Sequence, residues 1–491
     1  MTMKTGSLFM RIHRILGSLL SILFLMWFLS GMVMMYHGYP SVTDGQRTQH
    51  SGRIMPSSVG ADYPLPLVSD SAACSAISLE RAGSVCLWRV ASSDGERVVD
   101  ASDGNEIHGL SAEQLSEAAS RWSAAPPQLI DTLSQIDVWL IGAMPFKEYP
   151  IYHYGFADGR ATELYLSSRT GQVLQLTDRE SRFWAWVGAI PHWIYITKLR
   201  ATGRQPWTDT VLWISGFGIA MVISGIIVGI RSMLLARKKR GGKAAVSPYK
   251  KPLFRWHHVA GLFFGLFVLT WIFSGFMSLA DAPKLIWPVH DNHDARQVYA
   301  KTLNLNLFRL DCRRVLASDD VRRLAFMQMG DMPFYHVWTQ DDDYLVDAAD
   351  TLVRRVELSE SMCLRIVKAV HHPQNAMAAM MTDYDDYYVS QKRKLPLPVC
   401  RVSVDDADKS VYYINPKDGS CRYYNTNKRA GKWMYSGLHA LNTHFFAHHP
   451  LLRQIIMWVL LLGGTLVSVT GILLSFKYIR KKFRKKRAKK Q

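Results

Sequence analysis

Four stretches of this 491-residue chain carry no charged residue: Ile15–Tyr36, Thr210–Ile230, Val259–Ala280 and Gln454–Phe476, each 21 to 23 residues long. As helices they span about 30 Å, the thickness of a bilayer's hydrocarbon core. Only a helix satisfies its own backbone hydrogen bonds in that environment. A buried core helix is the competing reading, but its apolar run rarely exceeds about 14 residues. The first stretch is too long for the apolar part of a cleaved signal peptide, and no small-x-small cleavage site follows Met34-Met35-Tyr36-His37-Gly38, so it is expected to be retained. Length alone suggests roughly three soluble domains. The bunching of apolar residues instead implies a membrane α-helical protein with four transmembrane helices.

Basic residues bracket these stretches. Residues 231–255 hold nine Lys/Arg and no acid, the tail from Lys477 holds ten more and no acid, and Lys4, Arg11 and Arg14 precede the first stretch. These 22 exceed the net charge of +19, so the remainder is slightly acidic. Lys and Arg flanking membrane helices stay in the cytoplasm, which puts both termini inside and two long segments, His37–Asp209 and Asp281–Arg453, outside. The expected order is N-terminus and first helix (1–36), first outer domain (37–207), second helix (208–231), basic loop (232–256), third helix (257–280), second outer domain (281–452), fourth helix (453–477) and basic tail (478–491). Polybasic segments beside a membrane meet anionic headgroups, so the expected partner is the lipid bilayer and not nucleic acid.

All six cysteines (Cys74, Cys86, Cys312, Cys363, Cys400 and Cys421) fall in the two outer segments. An even count in an oxidising compartment points to disulfides. Cys74–Cys86 is the natural pair in the first segment. The second allows three pairings, of which Cys400–Cys421 with Cys312–Cys363 is favoured. No Cys-x-x-Cys appears, which argues against a thiol-relay enzyme.

The chain also repeats itself. Arg11-Ile-His13-Arg14-Ile-Leu-Gly17 aligns with Arg255-Trp-His257-His258-Val-Ala-Gly261 at an offset of 244, as do Trp27 with Trp271 and Ser30-Gly31 with Ser274-Gly275. Val99–Asp103 matches Val346–Asp350 at 247, Thr170-Gly171 matches Asp418-Gly419 at 248, and Trp184…His192…Gly225 matches Trp433…His439…Gly471 at 246 to 249. Within the outer segments, Ile151–Ala157 and Ala161–Ser167 read as strands around an Asp158-Gly159 turn, followed by Gln172–Leu176. Val399–Val404, Ser410–Ile414 and Cys421–Tyr424 read likewise, with helical patterning at Ser111–Arg121 and Glu360–Val370. Each outer domain is therefore expected to be α+β, a small antiparallel sheet with one helix, and Cys400/Cys421 to join neighbouring strands.

Ionisable residues at the ends of membrane helices are functional candidates. His13 and His257 stand at equivalent positions at the cytoplasmic mouths of helices one and three. Gly17 and Gly261 follow one turn later on the same face, and Gly31 and Gly275 five turns later. An imidazole with small residues along its stripe suits a flat macrocycle that needs an axial ligand and room to approach the backbone. Small residues also serve plain helix packing, and a lone interfacial histidine is usually solvated. The recurrence of the whole set in two helices favours the ligand reading. His192 (in Ile190-Pro191-His192-Trp193) and His439 (in Gly437-Leu438-His439) form a second equivalent pair on the outer face. A two-fold axis along the membrane normal brings His13 to His257 and His192 to His439. The expected cofactor is haem, two copies, each held by two histidines; such haem transfers electrons because both axial positions are filled. Zinc ranks lower, since a structural zinc site wants four ligands. His258, Arg11 and Arg255 are expected near a propionate or headgroup. His444, His448 and His449 stand as spare ligands or substrate contacts. His37 has no histidine equivalent, and His371-His372-Pro373 reads as an exposed turn.

The segments Arg11–Gly17, Trp433-Met-Tyr-Ser-Gly-Leu-His439-Ala-Leu and Gly463-Gly464…Ser468-Val-Thr-Gly471 resemble the PepSY-associated transmembrane proteins, a group that includes the inner-membrane ferric-siderophore reductases of Gram-negative bacteria. The likeness runs in order along essentially the whole chain. It implies four helices, two PepSY-like periplasmic domains and two b-type haems, whose ligands here would be His13, His257, His192 and His439. The departure lies in the outer segments, with their six cysteines and long insertions, and it leaves the substrate open. The expectation is a ferric chelate oxidoreductase that passes electrons across the membrane to a ferric siderophore. The alternative is a membrane-anchored PepSY binding or regulatory module without redox activity. No Gly-x-Gly-x-x-Gly follows a strand in a cytoplasmic segment, so a quinol or separate reductase would supply the electrons.

Overall fold

The structure is a computed structural model describing residues 3–60, 74–93, 95–143, 148–241, 246–371, 375–392 and 394–487, with side chains between residues 8 and 483. Four of its helices are long and apolar enough to cross a membrane: α1 (Met3–Met34), α2 (Gln205–Lys239), α3 (Pro252–Met277) and α4 (Pro450–Arg487). Proline in the first turn of α2 and α3 costs no intrahelical bond, and Arg237, Lys238 and Lys239 complement the dipole at the end of α2.

At most a third of the most apolar window of each helix is buried inside the protein. What faces outward is Leu19, Ile22, Trp213, Phe263 and Leu266, each at least 60% exposed. A continuous apolar surface of this kind belongs in lipid, because water would be ordered over all of it. Inward, α1 and α3 each pack on both α2 and α4, so they occupy opposite corners of a four-helix bundle. Phe24, Phe28, Met221, Trp271, Ile272, Met457 and Leu461 fill its middle. Gly463 and Gly464 leave α4 flat where the rings of Phe264 and Phe28 lie against it, the small-residue packing that lipid-embedded helices rely on.

The segment after α1 forms β1 (Cys74–Ala82), β2 (Val85–Ser92) and β3 (Gly95–Asp100), then β4 (Pro127–Leu133), β5 (Ile151–Phe156), β6 (Glu163–Ser167) and β7 (Val173–Thr177). The segment after α3 forms β8 (Arg323–Met329), β9 (Met332–Trp338), β10 (Asp343–Asp347) and β11 (Arg355–Val356), then β12 (Ala376–Met381), β13 (Val399–Val404), β14 (Val411–Ile414) and β15 (Cys421–Tyr424). The expected strands and the helices Ala112–Ser120 and Glu360–Val370 are present within two residues of their expected ends. Ser111 and Ser359 cap those helices through the N–H groups of Gln114 and Met362.

Each segment builds one four-stranded antiparallel sheet of its own, β4-β5-β6-β7 in the first and β12-β13-β14-β15 in the second, and the two segments share a third. β1 pairs with β8, so one seven-stranded antiparallel sheet, in the order β11-β10-β9-β8-β1-β2-β3, runs through both halves. Trp88 and its repeat equivalent Tyr335 are buried together in the core on one face. The other face forms two further cores. Leu87 and Val98 pack with β5, β6 and the Ala112–Ser120 helix, while Phe334 and Leu345 pack with β13, β14 and the Glu360–Val370 helix.

The expected disulfides are corrected by this register. All six cysteines are free. Cys86 lies opposite Arg81 on β1, seven residues from Cys74 and hence about 23 Å along the strand. Cys400 and Cys421 both face Ile414, from opposite sides of β14, so their backbones stand two strand spacings or about 9.6 Å apart. A disulfide needs Cα atoms within about 7 Å. Cys312 belongs to the Trp88 core and Cys363 to a different one. The thiol that Cys363 does meet is Cys400: their hydrogen bond, together with burial, pushes the Cys363 thiol up.

Candidate functional site

At the basic end of the bundle, α1 and α3 present His13 and His257 to each other with ring centroids 6.1 Å apart. At the sheet-bearing end, His192 and His439 also stand 6.1 Å apart. They are carried on two short helices, Ala189–Trp193 and Leu438–Ala440, the second entered through a π-helical turn at Trp433–Gly437. Each short helix ends two residues later on a non-glycine residue in the left-handed region, Ile194 at φ +52° and Leu441 at φ +49°. A non-glycine residue there costs of order 1–3 kcal/mol. The same strain at equivalent positions of both halves marks the turn that aims each histidine inward.

The hydrogen bonds fix the tautomer of all four rings. His13 Nδ1 lies 3.0 Å from the carbonyl of Met221, which can only accept, so Nδ1 carries the proton. Ser30 donates its one hydroxyl hydrogen to the Met26 carbonyl at 2.7 Å, so at 3.1 Å it accepts from His192 Nδ1. Ser274 does the same for His439, donating to Trp271 O at 2.8 Å and accepting from Nδ1 at 3.0 Å. Thr470 donates to Leu466 O at 2.8 Å and accepts from His257 Nδ1 at 3.0 Å. Every Nε2 is therefore left with its lone pair, the state a metal ligand requires. At the sheet-bearing end, burial pushes His192 down to about 3 and lowers His439 as well, which keeps both imidazoles neutral.

The spacing suits a single ion between the rings. Two metal–nitrogen bonds of roughly 2 Å, plus roughly 1 Å from each nitrogen to its ring centre, add to about 6 Å. The expected glycines divide unevenly. An added Cβ on Gly31 would sit 3.5 Å from His192 Cε1, one on Gly17 would sit 3.9 Å from Met221 Sδ, and on Gly261 or Gly275 it would meet no atom within 4 Å. The glycine that seats His13 is Gly225 on α2, where a Cβ would fall 2.6 Å from His13 Cε1, and its equivalent Gly471 on α4 faces His257 Cε1 at 3.5 Å. These two glycines, with Ser30, Ser274 and Thr470, form the support that sequence reasoning left without a role. Four of the matched pairs, Ser30/Ser274, Gly225/Gly471 and the two histidine pairs, already recur in the repeat, which was the available signal.

Other expectations fare differently. Arg11 and Arg255 are exposed at the basic end. His258 is buried and bonds through Nε2 to the Gly229 carbonyl at 3.0 Å, so it braces α3 on α2. His371 is buried against Asp406 and bonded to the Tyr412 hydroxyl at 2.8 Å, not exposed on a turn; His372 and Pro373 lie outside the described residues. His37 stacks flat on Trp184 at 4.1 Å. No family model and no curated protein matches this sequence.

Proposed function

We propose that this chain is a multi-pass membrane haem protein that carries electrons from the cytoplasmic to the outer face and reduces a ferric chelate docked there. The observation that carries the reading is the meeting of equivalent histidines, His13 with His257 and His192 with His439, at one shared separation of 6.1 Å and in one shared tautomer. His13 with His257, and His192 with His439, would hold a haem b at each pair, which would supply one-electron transfer. Met221, Ser30, Ser274 and Thr470 hold the ligand rings in orientation, and Gly225 and Gly471 let them seat against α2 and α4. His13 and Gly31, which faces His192, are eighteen residues apart on α1, or about 27 Å along the axis. Phe24, Trp27, Phe28 and Trp271 fill that interval and exclude water from it.

The resemblance of the helices to PepSY-associated siderophore reductases supports a ferric siderophore as the acceptor and the bacterial inner membrane as the location, with the two sheet-bearing segments periplasmic. Gaining an electron weakens the hold of hard oxygen ligands on iron and so releases it. The donor would be a quinol or a separate reductase. The test is a visible spectrum of detergent-purified protein with a pyridine haemochrome count. Two haems per chain and a reducible α-band are expected. Protein without a Soret band overturns the reading and leaves the sheets as a membrane-tethered binding module.

A further inference from the structure

Beyond the α3–His439 region, the chain turns through the short helix His444–His448 before entering α4. His444 and His448 are one helical turn apart, so their rings share a face. Facing them is Asp383, from the loop that follows β12. His448 Nε2 lies 3.1 Å from His444 Nε2 and 3.4 Å from Asp383 Oδ2, and His444 Nε2 lies 3.7 Å from the same oxygen. Among the described residues this is the one group of three such side chains whose ligand atoms all converge within 4.8 Å.

From this geometry we infer a binding site for a divalent first-row transition-metal ion, of the Zn(II) or Fe(II) class, held by His444, His448 and Asp383. Three ligands around a tetrahedral ion at 2.0–2.1 Å stand about 3.3 Å from one another, and the three separations here straddle that value. Nitrogen donors select such an ion over magnesium or calcium. An ion would take a lone pair from each of the three converging atoms, Nε2 of both imidazoles and Oδ2 of the carboxylate. The carboxylate is prepared for the role: Oδ1 accepts the Tyr384 backbone N–H at 2.8 Å, which leaves Oδ2 for the ion.

The ligands are also held from behind. Thr443 caps the helix by accepting from the Phe446 N–H at 3.4 Å, and Gln391, in the same loop as Asp383, donates to the carbonyls of Thr443 and Leu441. The side chains remain 43%, 44% and 61% exposed for His444, His448 and Asp383, so an ion enters from solvent and water completes its shell. Once bound it ties the β12–β13 loop to the base of α4, five residues from His439. The site does not rest on the electron-transfer reading.

The test is zinc stoichiometry on the full chain in detergent, with Zn(II) added alone, dialysed and counted by plasma mass spectrometry. The wild type is expected to retain one more zinc per chain than His444→Ala/His448→Ala. Zinc held at other histidines is common to both proteins and cancels. Asp383→Asn, which keeps both imidazoles, should bind the same ion about 10-fold more weakly. Circular dichroism and elution volume identical to the wild type show that the variants fold, as exposed positions should. Equal zinc in the wild type and the double variant, or none in either, overturns the site.

Discussion

Ser78 on β1 lies directly opposite Ala325 on β8, and these two residues are equivalents, separated by the same offset of 247 that relates Val99 to Val346. The register is therefore symmetric about this pair. The flanking hairpins repeat it: Leu87 faces Asp100 and Trp88 faces Val99, while Phe334 faces Asp347 and Tyr335 faces Val346. Gly83 and Gly330 make the corresponding turns, both at φ +60°. A local two-fold axis passes between Ser78 and Ala325. Residues close to such an axis meet their own copies, as His13 meets His257 and His192 meets His439. One histidine per half thus makes a two-histidine site.

Gly225→Ala places a methyl 2.6 Å from His13 Cε1, closer than two such carbons can stand, and the imidazole must move. Displacement of this kind costs about 1–3 kcal/mol of packing and destroys ligand alignment. Haem content is expected to fall from two per chain to one by pyridine haemochrome. Gly216→Ala on the same helix, whose Cβ would meet nothing within 4 Å, should retain two.

Ser30→Ala and Ser274→Ala remove the acceptors that hold Nδ1–H of His192 and His439. Losing such an outer partner typically weakens metal affinity 10–100-fold. Redox titration should show the midpoint of one haem moved and that of the other unchanged, with faster haem loss confined to the same site. Equal behaviour of both haems would contradict the separation of the two pairs.

The thiols of Cys363 and Cys400 meet across the helix–sheet interface, whereas Cys74–Cys86 and Cys400–Cys421 are held apart by strand register. Mild oxidation should join Cys363 to Cys400. Peptide mapping without reductant is expected to recover that linked pair, and Cys363→Ser should abolish it. Recovery of a Cys74–Cys86 peptide would show that the β1–β2 register is different.

His192 titrates near 3 in the folded chain and near 6.5 when exposed, because burial disfavours the imidazolium. Between those values the unfolded chain binds more protons, so the folded state loses stability as pH falls below about 6.5, by at most about 1.4 kcal/mol per pH unit for this group. Haem-free protein should therefore melt at lower temperature at pH 5 than at pH 7. His192→Leu, which has nothing to protonate there, should flatten the dependence.

The four helices were legible in the sequence because a bilayer imposes a length and forbids charge, and both constraints are local. The strands of the outer segments were legible for a related reason: Asp158-Gly159 and Asp418-Gly419 announce turns that the chain between them must follow. The four histidines emerged from the repeat, since duplication marks equivalent positions wherever they end up. Pairing across the chain was not local. That β1 joins β8 depends on register between segments 247 residues apart, and that β14 separates Cys400 from Cys421 while Cys363 meets Cys400 depends on strand order and helix packing; side-chain pattern along one strand does not encode its neighbour. The tautomers were hidden likewise. Ser30 becomes the acceptor for His192 only because α1 and the Ala189–Trp193 helix pack together, and packing, not spacing, decides where a hydroxyl's second hydrogen bond goes.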